Sequence, residues 1–184
     1  MEQGKRRAMG EYDLSKVKVL VAEDYPPMRK LLGQILFELN VGDFQMVSNG
    51  QEAVDFLAEN EVDLVLLDNV MSPVNGTELT RLIRLGQTKA DPMTPVIMVS
   101  GETSKDLIVS ARDAGVNEFL AKPISTRMLY QRFMNVIENP RPYVRAESFF
   151  GPDRRRRQMR FPGLERRRDP YHYAAAPAAG GQGS

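Results

Sequence analysis

The stretch VDLVLLDNVMSPVNG, residues 62–76, decides how the rest of the chain is read. Its apolar run LVLL, residues 64–67, holds neither Gly nor Pro and stops abruptly at Asp68. A strand buried on both faces ends this way where it meets solvent. Asp68 therefore belongs at the carboxyl end of a strand, and in an open parallel sheet ligands bind in the crevice beyond those ends. Any other charged group that directly follows an apolar strand would converge on it.

Upstream, VKVLVA (17–22) is a β-branched run that ends at Glu23 and Asp24, a carboxylate pair at the tip of a first strand. Pro26 and Pro27 suit the first turn of a helix, whose apolar face is Met28, Leu31, Leu32, Ile35, Leu36 and Leu39 and whose stop is Asn40 and Gly42. FQMV (44–47) reads as a second strand, and residues 50–59 as a second helix with Ala53, Val54 and Leu57 inward. Downstream of Asp68, Pro73 and Gly76 punctuate a loop; Thr77 is read as an N-cap, and Leu79, Leu82 and Ile83 mark a third helix. Pro95 sets off VIMV (96–99), which ends at Ser100; a fourth helix over 104–114 buries Leu107, Ile108 and Ala111 and stops at Gly115. EFLA (118–121) ends at Lys122 and Pro123, and Ser125 caps a fifth helix with Met128, Leu129, Phe133, Val136 and Ile137 on its face. Strands alternating with helices imply an α/β fold with right-handed crossovers and a five-stranded parallel sheet covered on both faces. The expected order is the flavodoxin-like 2-1-3-4-5, whose switch point lies between strands one and three, where Glu23, Asp24 and Asp68 stand.

At 184 residues and 42% hydrophobic content, the chain can build one domain and leave roughly 40 residues over. It has no cysteine, which excludes disulfides and thiolate metal sites. No run approaches the roughly 18 apolar residues of a membrane span, so a soluble, cytoplasmic protein is expected. The net charge of +1 conceals an asymmetry. Residues 14–139 carry 12 Lys+Arg and 17 Asp+Glu, a net of 12 − 17 = −5, whereas residues 140–184 carry 10 Arg and 4 acids, a net of 10 − 4 = +6. The expected division is a flexible segment over 1–15, a folded domain over 16–139 and an Arg/Pro-rich, largely disordered tail over 140–184. The tail's signs are Pro142, Pro152, Pro162 and Pro170, arginines at 154–157 and 166–168, and the low-complexity end AAAPAAGGQGS.

Four loops thus bring Glu23, Asp24, Asp68, Ser100 and Lys122 to one edge of the sheet. Two carboxylates about 4 Å apart repel by roughly 4 kcal/mol at an effective dielectric of 20, so the group calls for a cation. Oxygen ligands without His or Cys suit a hard ion, and a small cluster with room for water and a phosphate oxygen suits Mg²⁺. Ser100 can donate to an anion, and Lys122 can hold a transferred phosphoryl oxygen. Asp68 is the nucleophile in this reading, since carboxylates form acyl phosphates.

On the acid pair in VAEDYPPMR, the acceptor motif DNVMSPVNG, the hydroxyl in VSG and the lysine in FLAKP, the chain resembles the receiver domains of two-component response regulators, the CheY-like fold. The likeness covers residues 16–139. It implies that Asp68 is phosphorylated by a histidine kinase or histidine phosphotransfer protein. It also implies that Mg²⁺ is held by Asp24, Asp68, the Val70 carbonyl and, through water, Glu23. By the same likeness Ser100 and Lys122 bind the phosphoryl group, Ser100 and Phe119 form the switch, and the Lys122–Pro123 bond is often cis. The implied protein is a stand-alone, phosphoaccepting signalling protein rather than an enzyme. It would act on a downstream protein through the face of strand four, helix four and strand five, as a monomer or a phosphorylation-dependent dimer. Glu23 in place of the commoner Asp, Pro73 one position late with Ser72 in its stead, and Phe119 for Tyr depart from the usual pattern. The alternative is a receiver-regulated binder of nucleic acid or membrane that acts through the arginine-rich tail.

Overall fold

The computed structural model describes residues 13–146, 149–153 and 172–174. Ten elements alternate through the first part: β1 (Lys18–Ala22), α1 (Pro26–Glu38), β2 (Asp43–Val47), α2 (Gly50–Glu59), β3 (Leu64–Asp68), α3 (Gly76–Arg84), β4 (Val96–Ser100), α4 (Lys105–Ala114), β5 (Glu118–Ala121) and α5 (Thr126–Glu138). All neighbouring strands pair in parallel, in the order β2-β1-β3-β4-β5. This is the expected doubly wound sheet, with its switch point between β1 and β3.

The period of two sorts each strand between two cores. Val19, Val21, Leu64, Leu66, Ile97, Val99 and Leu120 pack with α1 and α5, against side chains such as Leu36, Leu129 and Phe133. Leu20, Ala22, Val65, Leu67, Val96 and Met98 pack with α2, α3 and α4, against Leu57, Leu79, Ile83 and Ala111. Helix starts are set locally: Asn49, Ser104 and Ser125 accept from Glu52, Leu107 and Met128 backbone N–H groups, and Gly115 ends α4 at φ 99°. Thr77, read as the cap of α3, does not serve as one. Asn75 caps that helix in a reciprocal box with Glu78, and Thr77 bonds elsewhere. Leu31, Ile108 and Met128, expected inward, are 37%, 43% and 37% exposed. Leu31 and Met128 stand beside Leu32 and Leu129, which pack inward, whereas Ile108 stands beside Leu107, which is only half-buried although expected inward. The apolar stripe in the sequence is thus wider than the arc the sheet covers.

The chain was expected to lose order from Pro140, yet β6 (Tyr143–Ala146) and β7 (Phe149–Pro152) pair antiparallel, and β8 (His172–Ala174) flanks β6 on the other side. The hairpin is seated on the domain: Tyr143 and Val144 are 1% and 5% exposed, and Gly151 lies against Gly115 at the end of α4. Aromatic and β-branched residues in two four-residue runs suffice for strands once a surface is there to receive them. At the other end, Leu14 is buried in the α1/α5 core, so the domain begins earlier than residue 16. The rest of the 1–15 and 140–184 assignments lies outside the described residues, among which no helix is long and apolar enough to cross a membrane.

Candidate functional site

Parallel register builds the site. Ala22, Leu67, Met98 and Phe119 stand in one row across the sheet, and one step further come Asp68 and Val99, with Glu23 directly beyond the end of β1. Ser100 and Lys122 follow at the same edge, and the Lys122 N–H donates to the Ser100 carbonyl at 2.9 Å. The topology thus places the expected residues at the tips of β1, β3, β4 and β5.

The side chains converge. Lys122 Nζ donates to Asp68 Oδ2 at 2.7 Å and to Glu23 Oε2 and Oε1 at 2.9 and 3.1 Å. Glu23, Asp24 and Asp68 each offer a carboxylate oxygen, and these oxygens lie within 4.8 Å of one another. Glu23 is fully buried and Asp68 nearly so, while Asp24 is open to solvent. Three carboxylates and one ammonium sum to −3 + 1 = −2, the charge a divalent cation balances. The donor set is all oxygen and partly solvated, which fits Mg²⁺. Val70, exposed at its side chain, donates its N–H to Asp68 Oδ1 at 3.2 Å.

Burial pushes the Glu23 carboxyl above the usual range; hydrogen bonds from Lys122 oppose this, and the Asp68 charge adds to it. For Lys122, burial works to lower the pKa, but hydrogen bonds to Asp68 and Glu23, and then their charges, outweigh it and hold the ammonium above its ordinary value. The lysine therefore remains a fixed cation beside the Asp68 oxygen.

Ser100 is fully buried, and its Oγ accepts from the Glu102 N–H at 3.2 Å. Phe119 is half-buried against the α2/α3/α4 core, on the same sheet face as Ser100 by strand alternation. The Lys122–Pro123 and Ser72–Pro73 bonds are both cis. With Pro73 one place late, the loop still returns at Gly76, which packs so closely on the Asp68 carbonyl that a Cβ there would overlap it. Arg29 escaped the sequence reading. Its Nη1 donates to the Glu23 and Asp24 carbonyls at 2.7 and 3.3 Å, tying the acidic turn to the first turn of α1.

Residues 19–134 match the response regulator receiver domain family. The chain belongs to that family. The receiver is 34% identical over 122 residues to a chemotaxis protein CheY homolog of Campylobacter jejuni, covering 66% of this chain and 92% of that protein. It is 27% identical to the chemotaxis protein CheY of Pseudomonas aeruginosa, over 66% and 97% of the two chains. Among solved structures, Vibrio cholerae CheY4 superposes with a TM-score of 0.60 at 22% identity, over 65% of this chain and 98% of that one. The receiver domain of a Pseudomonas aeruginosa sensor histidine kinase superposes at 0.57 and 26%, over 65% and 94%, and carries a magnesium ion in its active site cleft. The family region ends at residue 134, short of β6 and β7.

Proposed function

We propose that this chain is a stand-alone response regulator that accepts a phosphoryl group on Asp68 from a histidine kinase or histidine phosphotransfer protein. The observation that carries the reading is the contact of Lys122 with Asp68 inside a cluster of net charge −2. A lone pair of the Asp68 carboxylate forms the new O–P bond as the donor's N–P bond breaks. The bonding electrons stay on the imidazole nitrogen, which takes a proton from solvent. Glu23, Asp24, Asp68 and the Val70 carbonyl would hold Mg²⁺, which when bound supplies charge neutralisation on the phosphoryl oxygens. Lys122, a fixed cation, is placed to shift its hydrogen bonds from the carboxylates to a phosphoryl oxygen. Ser100 donates its hydroxyl to another, and Phe119, with no hydroxyl, follows by packing alone. The signal then passes to a protein partner through the surface of β4, α4 and β5, where Ile108 and Val109 are exposed.

Incubation with a small phosphodonor and Mg²⁺ should add one phosphate to the wild-type chain and none to Asp68→Asn. Labelling of the asparagine variant at the wild-type rate rejects the assignment.

A second reading has the receiver regulating a polyanion contact. Between β7 and β8, which both pair with β6, residues 154–171 carry 8 Arg against Glu165 and Asp169, a net of 8 − 2 = +6. Nucleic acid or an anionic membrane is the chemical complement of that charge.

A further inference from the structure

We propose that Asn69 and Thr77 are positioning residues for the phosphoryl site: a neutral brace that fixes the acceptor loop so that the Val70 backbone is preset for the divalent cation. This rests on the reading of Asp68 as an Mg²⁺-dependent phosphoacceptor.

The brace is a set of hydrogen bonds around one residue, Asn69, accepted by its side chain and its carbonyl. Asn69 Oδ1 accepts from Thr77 Oγ1 at 2.7 Å and from the Thr77 N–H at 3.2 Å. The Asn69 carbonyl accepts from the Gly76 and Met71 N–H groups at 3.1 and 3.2 Å. The residue after the acceptor thereby gathers the return of its own loop. Thr77 is not occupied in capping α3, because Asn75 and Glu78 already do that with bonds of 2.9 and 3.0 Å. A buried threonine hydroxyl turned back across eight residues has a different task.

That task concerns Val70. Its neighbour Asn69 is held by the brace, and its neighbour Met71 is held by its own amide and by burial in the α2/α3/α4 core. Val70 itself leaves its side chain in solvent and gives its N–H to Asp68 Oδ1. One residue is thus pinned on both sides directly beside the acceptor carboxylate. Neither Asn69 nor Thr77 carries charge, so any effect on a cation comes through geometry. Outer partners of this kind typically change metal affinity about tenfold or more when removed. The brace also accounts for a loop that tolerates Pro73 one position late: the loop's return is set by residues 69, 76 and 77 rather than by the proline.

The experiment measures Mg²⁺ affinity by calorimetry on the full chain, without phosphodonor, well below each variant's melting temperature. Thr77→Val is isosteric and removes only the hydroxyl; it should weaken Mg²⁺ binding about tenfold. Thr77→Ser, which keeps the hydroxyl, should bind within about twofold of wild type, and Asn69→Ala should match or exceed the valine defect. A purely structural role would lower the melting temperature of the metal-free protein and leave the Mg²⁺ affinity alone. Valine and alanine variants that bind as tightly as wild type overturn the brace, provided that Asp68→Asn weakens binding. Wild-type protein that binds no Mg²⁺, or binds it equally well as Asp68→Asn, removes the phosphoacceptor reading and the brace with it.

Discussion

Arg84 is 4% exposed, and its five hydrogen bonds end on neutral oxygens: the carbonyls of Pro92, Thr94 and Gly115 and the Oδ1 of Asn117, at 2.8–3.0 Å. Its guanidinium carbon also lies 5.3 Å from the centre of the Tyr143 ring. Burial lowers its pKa from the usual arginine value. One planar fork therefore ties the last turn of α3 to the chain before β4, to the chain before β5 and to the hairpin, a set that a single ammonium cannot reach. Arg84→Met should cost about 3 kcal/mol, because the abandoned carbonyls outweigh the desolvation that the cation no longer suffers. For a chain of this size that is a fall of about 10 °C in melting temperature, and Arg84→Lys should lose most of the same amount. Either variant melting with wild type would show that the network is neutral. Nothing in the sequence pattern marks this residue, since a charge after Leu82 and Ile83 near a helix end reads as a solvated face. Glu23, Asp24, Asp68 and Lys122 were legible for the opposite reason: each directly follows an apolar strand, where strand alternation and sheet topology leave little choice of position. Thr77 was misread because its hydroxyl suits a cap equally well, and only the position of Asn75 decides between them.

At the scale of elements, periodicity and end signals located all five strands and five helices of the receiver, and Ser125 and Gly115 act as expected. The hairpin was missed because its two four-residue strands lie among prolines and arginines, and their burial depends on a surface that the sequence does not display. That burial has a pH consequence. The Tyr143 hydroxyl donates to the Met93 carbonyl at 2.7 Å and accepts from Asn117 Nδ2 at 3.1 Å. Burial raises its pKa, while Arg84, the Asn117 hydrogen bond and Arg141 pull it down without cancelling the effect, and Asp91 adds slightly to it. In the unfolded chain this phenol loses its proton near pH 10, about its ordinary value, whereas in the folded protein it keeps it to higher pH. Within that window the unfolded state binds fewer protons, so the contribution of Tyr143 to stability is whole below about pH 10 and declines as pH rises above it. Tyr143→Phe should be less stable by about 1 kcal/mol at pH 8, and the gap should narrow at pH 11. Denaturant melts showing the same gap at both pH values would contradict the burial argument.

For the whole molecule, the question is where the folding unit ends. The family region stops at residue 134 and α5 at Glu138, which suggests cutting the chain after Asn139. The hairpin argues for a later boundary. Arg141 donates to the carbonyls of Val116, Asn117 and Asp153, the Asp153 N–H donates to the Pro142 carbonyl at 2.8 Å, and Tyr143 covers Arg84. Removing residues 140–184 would bare a guanidinium and a strand end that the native chain keeps dry. Burial of the Tyr143 and Val144 side chains alone is worth about 3–5 kcal/mol of apolar transfer, before the entropy of ordering the hairpin is set against it. A chain ending at Asn139 should therefore melt at least about 5 °C below the full chain, while one ending at Asp153 should stay within about 3 °C of it. Both should still take phosphate on Asp68, because the site lies at the opposite ends of β4 and β5 from the hairpin contacts. The same pair separates the two functional readings. If residues 154–171 bind a polyanion, the chain ending at Asp153 loses a steeply salt-dependent affinity while keeping its stability and its phosphorylation. If that shorter chain binds a polyanion as the full chain does, the arginine reading fails. If the chain ending at Asn139 is as stable as the full chain, the hairpin is an attachment to the receiver and not part of its fold.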